Sequence, residues 1–147
     1  MLTRSYYAKH EKKFNKYLTE HPSTQYEGED ARLKKQSQVN RNILLSKINA
    51  NMLKAKFHDA GLPVMDSVTH IVPVMVGDPV RAKKISDILL AEYGAYVQPI
   101  NFPTVPRGTE RLRFTPGPAH TEAMMDQLTQ AMVEIWDRLE LELRKAA

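Results

Sequence analysis

Apolar positions recur at three- and four-residue steps along most of this chain, with a continuous β-branched run at 70–76 and a short alternation at 110–115. Over residues 1–20, Tyr6, Tyr7, His10, Phe14, Tyr17 and Leu18 fall at helical spacing with lysines and glutamates between them, which predicts an amphipathic helix. His21-Pro22 stops that pattern, and the polar run Ser23 to Asp30, with Gly28 inside it, predicts a linker or loop over 21–30. From about Ala31 to Ala60 helix formers continue without a break, and Gly61-Leu62-Pro63 then supplies a terminating glycine with proline just beyond. Leu44, Ile48, Met52 and Ala55 line one face of this helix, while Leu53 and Phe57 form a neighbouring stripe. Two stripes predict contact with two bodies, one of them the domain's own sheet.

The run His70 to Val76 is rich in β-branched residues and bounded by Ser67 and Gly77-Asp78, so it predicts a strand, which Pro73 confines to an edge or an irregular position. Asp78-Pro79 opens the next helix with an N-cap carboxylate and a first-turn proline. Val80, Ile85, Ile88 and Leu89 predict its buried face, and Gly94 its end. Thr121 caps a last helix expected to reach about Leu143. Met124, Leu128, Met132, Ile135, Leu139 and Leu143 are expected inside, with Gln127, Glu134, Arg138 and Glu142 in solvent.

Between these helices lies the stretch Tyr96 to Pro116. Prolines at 99, 103 and 106 rule out helix and predict an extended, edge-like path. Arg107-Gly108-Thr109 reads as a turn. From Glu110 to Thr115, alternation points Leu112 and Phe114 one way and Arg111, Arg113 and Thr115 the other. Two arginines on one face of a short strand call for water or an anion, and the guanidinium fork matches a carboxylate with two parallel hydrogen bonds. A solvated strand face is the plainer reading of the same pattern. The element order predicts an α+β fold, a small and mostly antiparallel sheet covered by helices.

Composition narrows the picture modestly. The chain has 147 residues, enough for one modest domain with an appendage, and its 42% apolar content is that of a globular protein. Without cysteine it has no disulfide and no thiolate metal site. No apolar run approaches the roughly 20 residues of a membrane helix, and the first residues lack a secretory core, so a cytoplasmic protein away from the membrane is expected. The net charge of +4 comes from scattered lysines not interleaved with aromatics, so no nucleic-acid partner is expected.

Catalytic motifs are scarce. His10-Glu11 starts like a zinc-protease motif, but Phe14 stands where the second histidine belongs. The five histidines show no paired metal spacing, and no metal site is expected. There is no glycine-rich phosphate loop and no nucleophile elbow. Lys83 and Lys84 lie on a polar helix face, without the burial that would activate them. The residues by themselves do not describe an enzyme.

Two long runs nevertheless resemble a known family: Gly61-Leu-Pro-Val-Met-Asp-Ser-Val-Thr-His-Ile-Val-Pro-Val-Met-Val-Gly-Asp78, and the stretch from Tyr96 to Pro116. Together they resemble the carboxyl-terminal region of the 5-aminolevulinate synthases, nearest to the α-proteobacterial forms. The match covers roughly Ala31 to Leu143. The wider α-oxoamine synthase group shares the proline-rich segment and the Arg-Leu-Arg strand, while Gln98-Pro-Ile-Asn-Phe-Pro103 points to the aminolevulinate branch. The resemblance implies the small domain of an aspartate-aminotransferase-fold homodimer that uses pyridoxal 5'-phosphate. Such an enzyme condenses glycine with succinyl-CoA, releasing CoA and carbon dioxide, in tetrapyrrole and haem biosynthesis. It further implies that Arg113 holds the amino-acid carboxylate and that Thr104 contributes to substrate binding, with no carried-over role for Arg107 or Arg111.

The departures are as informative. Members of that family are much longer, and nothing in this chain corresponds to the motif of their Schiff-base lysine, so no catalytic or cofactor-binding residue is assigned. Residues 1–30 match no recognised part of the family and stand as a leader helix and linker. Residues 31–147 stand as the small domain. The expectation is a domain inactive alone, completed by a homodimeric partner or by a separate large-domain chain. The alternatives are a non-catalytic remnant that associates with an intact synthase, or part of another α-oxoamine synthase.

Overall fold

The computed structural model describes residues 27–143, with side chains from residue 31 onward; the helix expected over 1–20 lies outside the described residues. Helix α1 spans Glu27–Asp59. It starts inside the stretch expected to be a linker, because Gly28 costs a helix only about 1 kcal/mol and the strong formers that follow propagate back through it. Its end is the expected one. Gly61 adopts φ 82, Leu62 N–H reaches Phe57 O at 3.0 Å and Gly61 N–H reaches His58 O at 3.0 Å, closing a Schellman motif.

Strand β1 is Val72–Met75 and helix α2 is Pro79–Tyr93. Asp78 caps α2 by accepting the Arg81 N–H at 2.7 Å, and Gly94 ends it at φ 66. Strands β2 (Gln98–Ile100) and β3 (Arg111–Phe114) complete an antiparallel sheet in the order β1-β3-β2, and helix α3 (Glu122–Arg138) follows. The fold is α+β as the pattern predicts, with the arginine strand in the middle.

Each strand lends one face to the core. Val72 and Val74 from β1, and Leu112 and Phe114 from β3, are buried against helix residues that include Ala50, Leu53, Phe57, Ile85 and Leu89. Phe57 meets Phe114 edge to face, with ring centroids 5.1 Å apart. All three helices contribute to this core, so the opposite face of the sheet carries no helical layer from the described residues. The two stripes of α1 behave differently: Leu53 and Phe57 are fully buried, Ile48 and Met52 are half-buried, and Ala55 is exposed.

Two predicted faces shift. Val80 is 74% exposed because it sits in the first turn of α2, ahead of the part that meets the sheet; Ala82 and Ser86 take the buried places beside Ile85 and Leu89. Ser86 Oγ donates to Val97 O at 2.5 Å, fixing the chain as it turns into β2. In α3 the inner face is Met125, Ala131, Met132, Ile135 and Trp136, while Met124 and Leu143 are exposed. The helix stops at Arg138, five residues short of the expected end, because Glu140 adopts φ 53 and Leu141 N–H turns back to Trp136 O at 2.9 Å.

Polar ties hold α3 in place. Lys56 Nζ reaches Glu122 at 3.2 Å and Asp126 at 2.6 Å, and Arg138 Nη1 reaches both carboxylate oxygens of Glu92 at 3.0 and 2.9 Å. Tyr93 Oη donates to Glu134 Oε2 at 2.8 Å, and Gln130 Nε2 donates to Glu134 Oε1 at 3.1 Å. Gln130, then Tyr93, holds the Glu134 carboxyl below its ordinary range, and the hydrogen bond to Glu134 pushes the Tyr93 phenol up. The acid's lowered value makes its contribution present above the ordinary carboxylate range and lost as pH falls through the folded value. The phenol's raised value makes its contribution present below the ordinary tyrosine range and lost as pH rises through the folded value. Tyr93→Phe is therefore expected to lower Tm slightly near neutrality, with the deficit shrinking toward both extremes. Thermal unfolding followed by circular dichroism across pH checks it.

Candidate functional site

The uncovered sheet face is built by register. Arg113 lies opposite Pro73 on β1 and Gln98 on β2, and Arg111 lies opposite Met75 and Ile100. In an antiparallel ladder directly opposed residues share a face, so these six side chains form one surface with the two arginines down its centre. Arg113 is exposed and Arg111 half-buried, whereas Leu112 and Phe114 are buried on the other side, as the alternation predicts. Arg113 Nη2 donates to Gln98 Oε1, and Arg111 Nε donates to Thr109 O at 3.0 Å. Both guanidinium groups are thus oriented by neutral partners, with no ion pair to a carboxylate among the described residues. That is an arrangement suited to an incoming anion.

Thr104 sits in the turn that follows β2. Its N–H reaches Asn101 O at 3.0 Å, its side chain is exposed, and no hydrogen bond joins it to Arg113 among the described residues. Three residues before it, Asn101 Oδ1 is buried without a hydrogen-bond partner. Arg107 stacks over Phe102, 4.8 Å from the ring centroid.

Glu110 organises the turn between β2 and β3. It is buried, its Oε2 accepts the Gly108 N–H at 2.9 Å, and its backbone carbonyl receives Val76 N–H at 2.9 Å and Gly77 N–H at 2.8 Å. Gly108 takes φ 83 there, as the predicted turn requires. The sequence reading passed over Glu110, yet its signal was present, since the inward series Leu112, Phe114 extended two residues back ends on it. Gln98 had no such signal, because only the register identifies it as Arg113's partner.

The described lysines belong to the helices and not to the strands of this face, all of them on α1 or α2. Lys54 Nζ donates to Ser67 O at 2.7 Å and Thr69 O at 2.8 Å, and its burial lowers the ammonium's pKa. Lys83 pairs with Asp87 at 2.5 Å. Among the described residues no cluster of three metal-ligating side chains exists, and no helix is long and apolar enough to cross a membrane.

Fold and site together define a small α+β domain that displays oriented arginines on an open antiparallel sheet. The profile of the aminotransferase class I and II family matches residues 22–132, and the chain belongs to that family. It is 56% identical over 94 residues to the 5-aminolevulinate synthase of Paracoccus denitrificans, an alignment covering 64% of this chain and 23% of that protein. It is 59% identical over 92 residues to 5-aminolevulinate synthase 1 of Cereibacter sphaeroides, covering 63% and 23% respectively. Its fold is similar to part of serine palmitoyltransferase from S. paucimobilis, at a TM-score of 0.62 and 23% identity, over 76% of this chain and 28% of that one. The chain spans about a quarter of the length of the relatives it matches.

Proposed function

We propose that this chain is the carboxyl-terminal small domain of a 5-aminolevulinate synthase-like acyltransferase, the part that binds the amino-acid substrate's carboxylate. The whole enzyme would join glycine to succinyl-CoA, releasing CoA and carbon dioxide, for tetrapyrrole and haem synthesis in the cytoplasm. The observation that carries this reading is Arg113 at the centre of the uncovered sheet face, in one of the two segments that resemble those synthases. Nη2 bears two hydrogens. Gln98 takes one and steadies the group, and a fork of N–H donors remains for the substrate carboxylate. Thr104, on the exposed turn past β2, adds a hydroxyl for the substrate's remaining polar atoms.

The lysine that would hold pyridoxal phosphate is assigned to a part of the enzyme outside this domain. Lys54, Lys56 and Lys83 are committed to protein oxygens on the helical layer, and no described lysine belongs to the strands that carry the arginines. In such enzymes the cofactor acts as an electron sink for the amino acid's α-carbon. This chain would supply orientation and charge to that site, and a large domain, in a homodimer or on a separate chain, would supply the rest.

Complementation tests the assignment. A Paracoccus-type 5-aminolevulinate synthase is expressed without the region aligned to this chain, and the chain is added in trans. Product formation from glycine and succinyl-CoA is expected only from the mixture. Physical association without product would favour a non-catalytic binding remnant, and absence of both would remove the reading.

A further inference from the structure

We propose that the groove between the end of α2 and α3 binds an organic cation, an aromatic or alkyl body carrying an ammonium group, with Glu134 as its counter-ion and Tyr93 and Tyr96 against its body. The groove has a volume of about 920 Å³, within the range of small-molecule sites. Its floor is made of buried apolar side chains, Leu53, Phe114, Met125 and Ala131. Along its rim Tyr93, Tyr96 and Met124 remain 42%, 76% and 51% exposed, so much of their apolar surface is left without a protein partner. The groove opens on the helical side of the sheet, and the arginines lie on the opposite face. The site therefore stands apart from Arg113 and from the activity assigned to it.

Charge selects the occupant. No lysine or arginine lines the groove, although the chain as a whole carries a net charge of +4. Its two carboxylates differ. Asp126 is neutralised by Lys56 at 2.6 Å. Glu134 is bound by uncharged donors, Tyr93 Oη at 2.8 Å and Gln130 Nε2 at 3.1 Å, and makes no ion pair among the described residues. Those bonds, Gln130 first, hold its carboxyl below the ordinary range, so it is ionised near neutrality. Arg138, one turn further along α3, is taken up by both carboxylate oxygens of Glu92. His120 on the rim accepts the Gly117 N–H at Nδ1, 2.7 Å away, an arrangement of the uncharged imidazole. The result is an oriented carboxylate without a counter-ion, bonded to a tyrosine at the edge of an apolar groove. An ammonium group satisfies both features, through a charge-assisted hydrogen bond to the carboxylate and attraction to the negative faces of the tyrosine rings. An anion of the same shape meets repulsion instead.

The full chain, labelled with carbon-13 at its methionine methyls, is titrated by NMR with phenethylammonium and separately with phenylacetate, a similar ring bearing the opposite charge. Saturable shifts at Met124 and Met125, at least about tenfold tighter for the cation, are expected from the carboxylate contact. Glu134→Gln keeps an acceptor for Tyr93 and is expected to cut that preference to about twofold or less. Tyr96→Leu guards against misfolding of that variant, since position 96 is largely exposed and outside the core. It keeps an apolar surface, removes one ring face and is expected to weaken cation binding about threefold. Equal affinity for the two probes, no saturable shift, a preference that survives Glu134→Gln, unchanged affinity in Tyr96→Leu, or shifts centred on Met75 of the arginine face overturns the proposal.

Discussion

Arg113→Ala is expected to lower kcat/KM for glycine in the complemented synthase by roughly 30- to 1,000-fold while leaving the domain's Tm unchanged. The kinetic loss follows from removing a charge-assisted fork worth about 2–4 kcal/mol, at 1.36 kcal/mol per factor of ten. The unchanged Tm follows because Arg113 is exposed, contacts Gln98 by a single hydrogen bond and contributes nothing to the core. Arg113→Lys keeps the charge without the planar fork and should fall between parent and alanine variant. Steady-state rates against glycine, with thermal unfolding in parallel, separate the two effects. A variant that lost activity and Tm together would point to a structural role.

Phe57→Ala should be the most destabilising single change of those considered, costing about 3–5 kcal/mol. The ring is fully buried, lies in the last turns of α1, and meets Phe114 at 5.1 Å and 79°. Truncation leaves a cavity where α1 crosses the sheet and strips Phe114 of its partner. For a domain whose whole stability is of order 5–15 kcal/mol, that is a large share. Urea unfolding of parent, Phe57→Ala, Phe114→Ala and the double variant gives the coupling directly, expected at about 0.5–1.5 kcal/mol.

Much of this architecture was legible in local chemistry. Asp78, Gly94, Gly61 and Thr121 each stop or start a helix where their side chains or backbone freedom require it, and the 110–115 alternation assigned the faces of β3 correctly. What was not legible depends on neighbours remote in sequence. The end of α3 rests on a left-handed glutamate, a residue type that carries no such signal, and the inner face of α3 keeps the predicted Met132 and Ile135 but is turned toward Met125 and Trp136 and away from Met124. The exposure of Val80 reflects where α2 overhangs the sheet. On the arginine face, alternation gave the direction of Arg113, while Gln98 needed the strand register and the placement of Thr104 needed the turn after β2.

The strand prolines bear on how this domain survives at high concentration. In β1 the outward groups are those of Pro73 and Met75, since Pro73 O receives Met65 N–H at 2.9 Å and Met75 N–H reaches Pro63 O at 3.0 Å. Alternation of the antiparallel ladder then directs residues 98 and 100 of β2 toward β3 and turns Pro99 to the open margin. A proline there offers no N–H, so an arriving strand finds no donor at the middle residue of β2, and β2 is only three residues long. The opposite margin is already occupied by the bridge between Val64 and Val74. Stacking of copies edge to edge into a growing fibril is therefore opposed at the β2 margin by Pro99 and at the β1 margin by the residues around Val64 that already pair there.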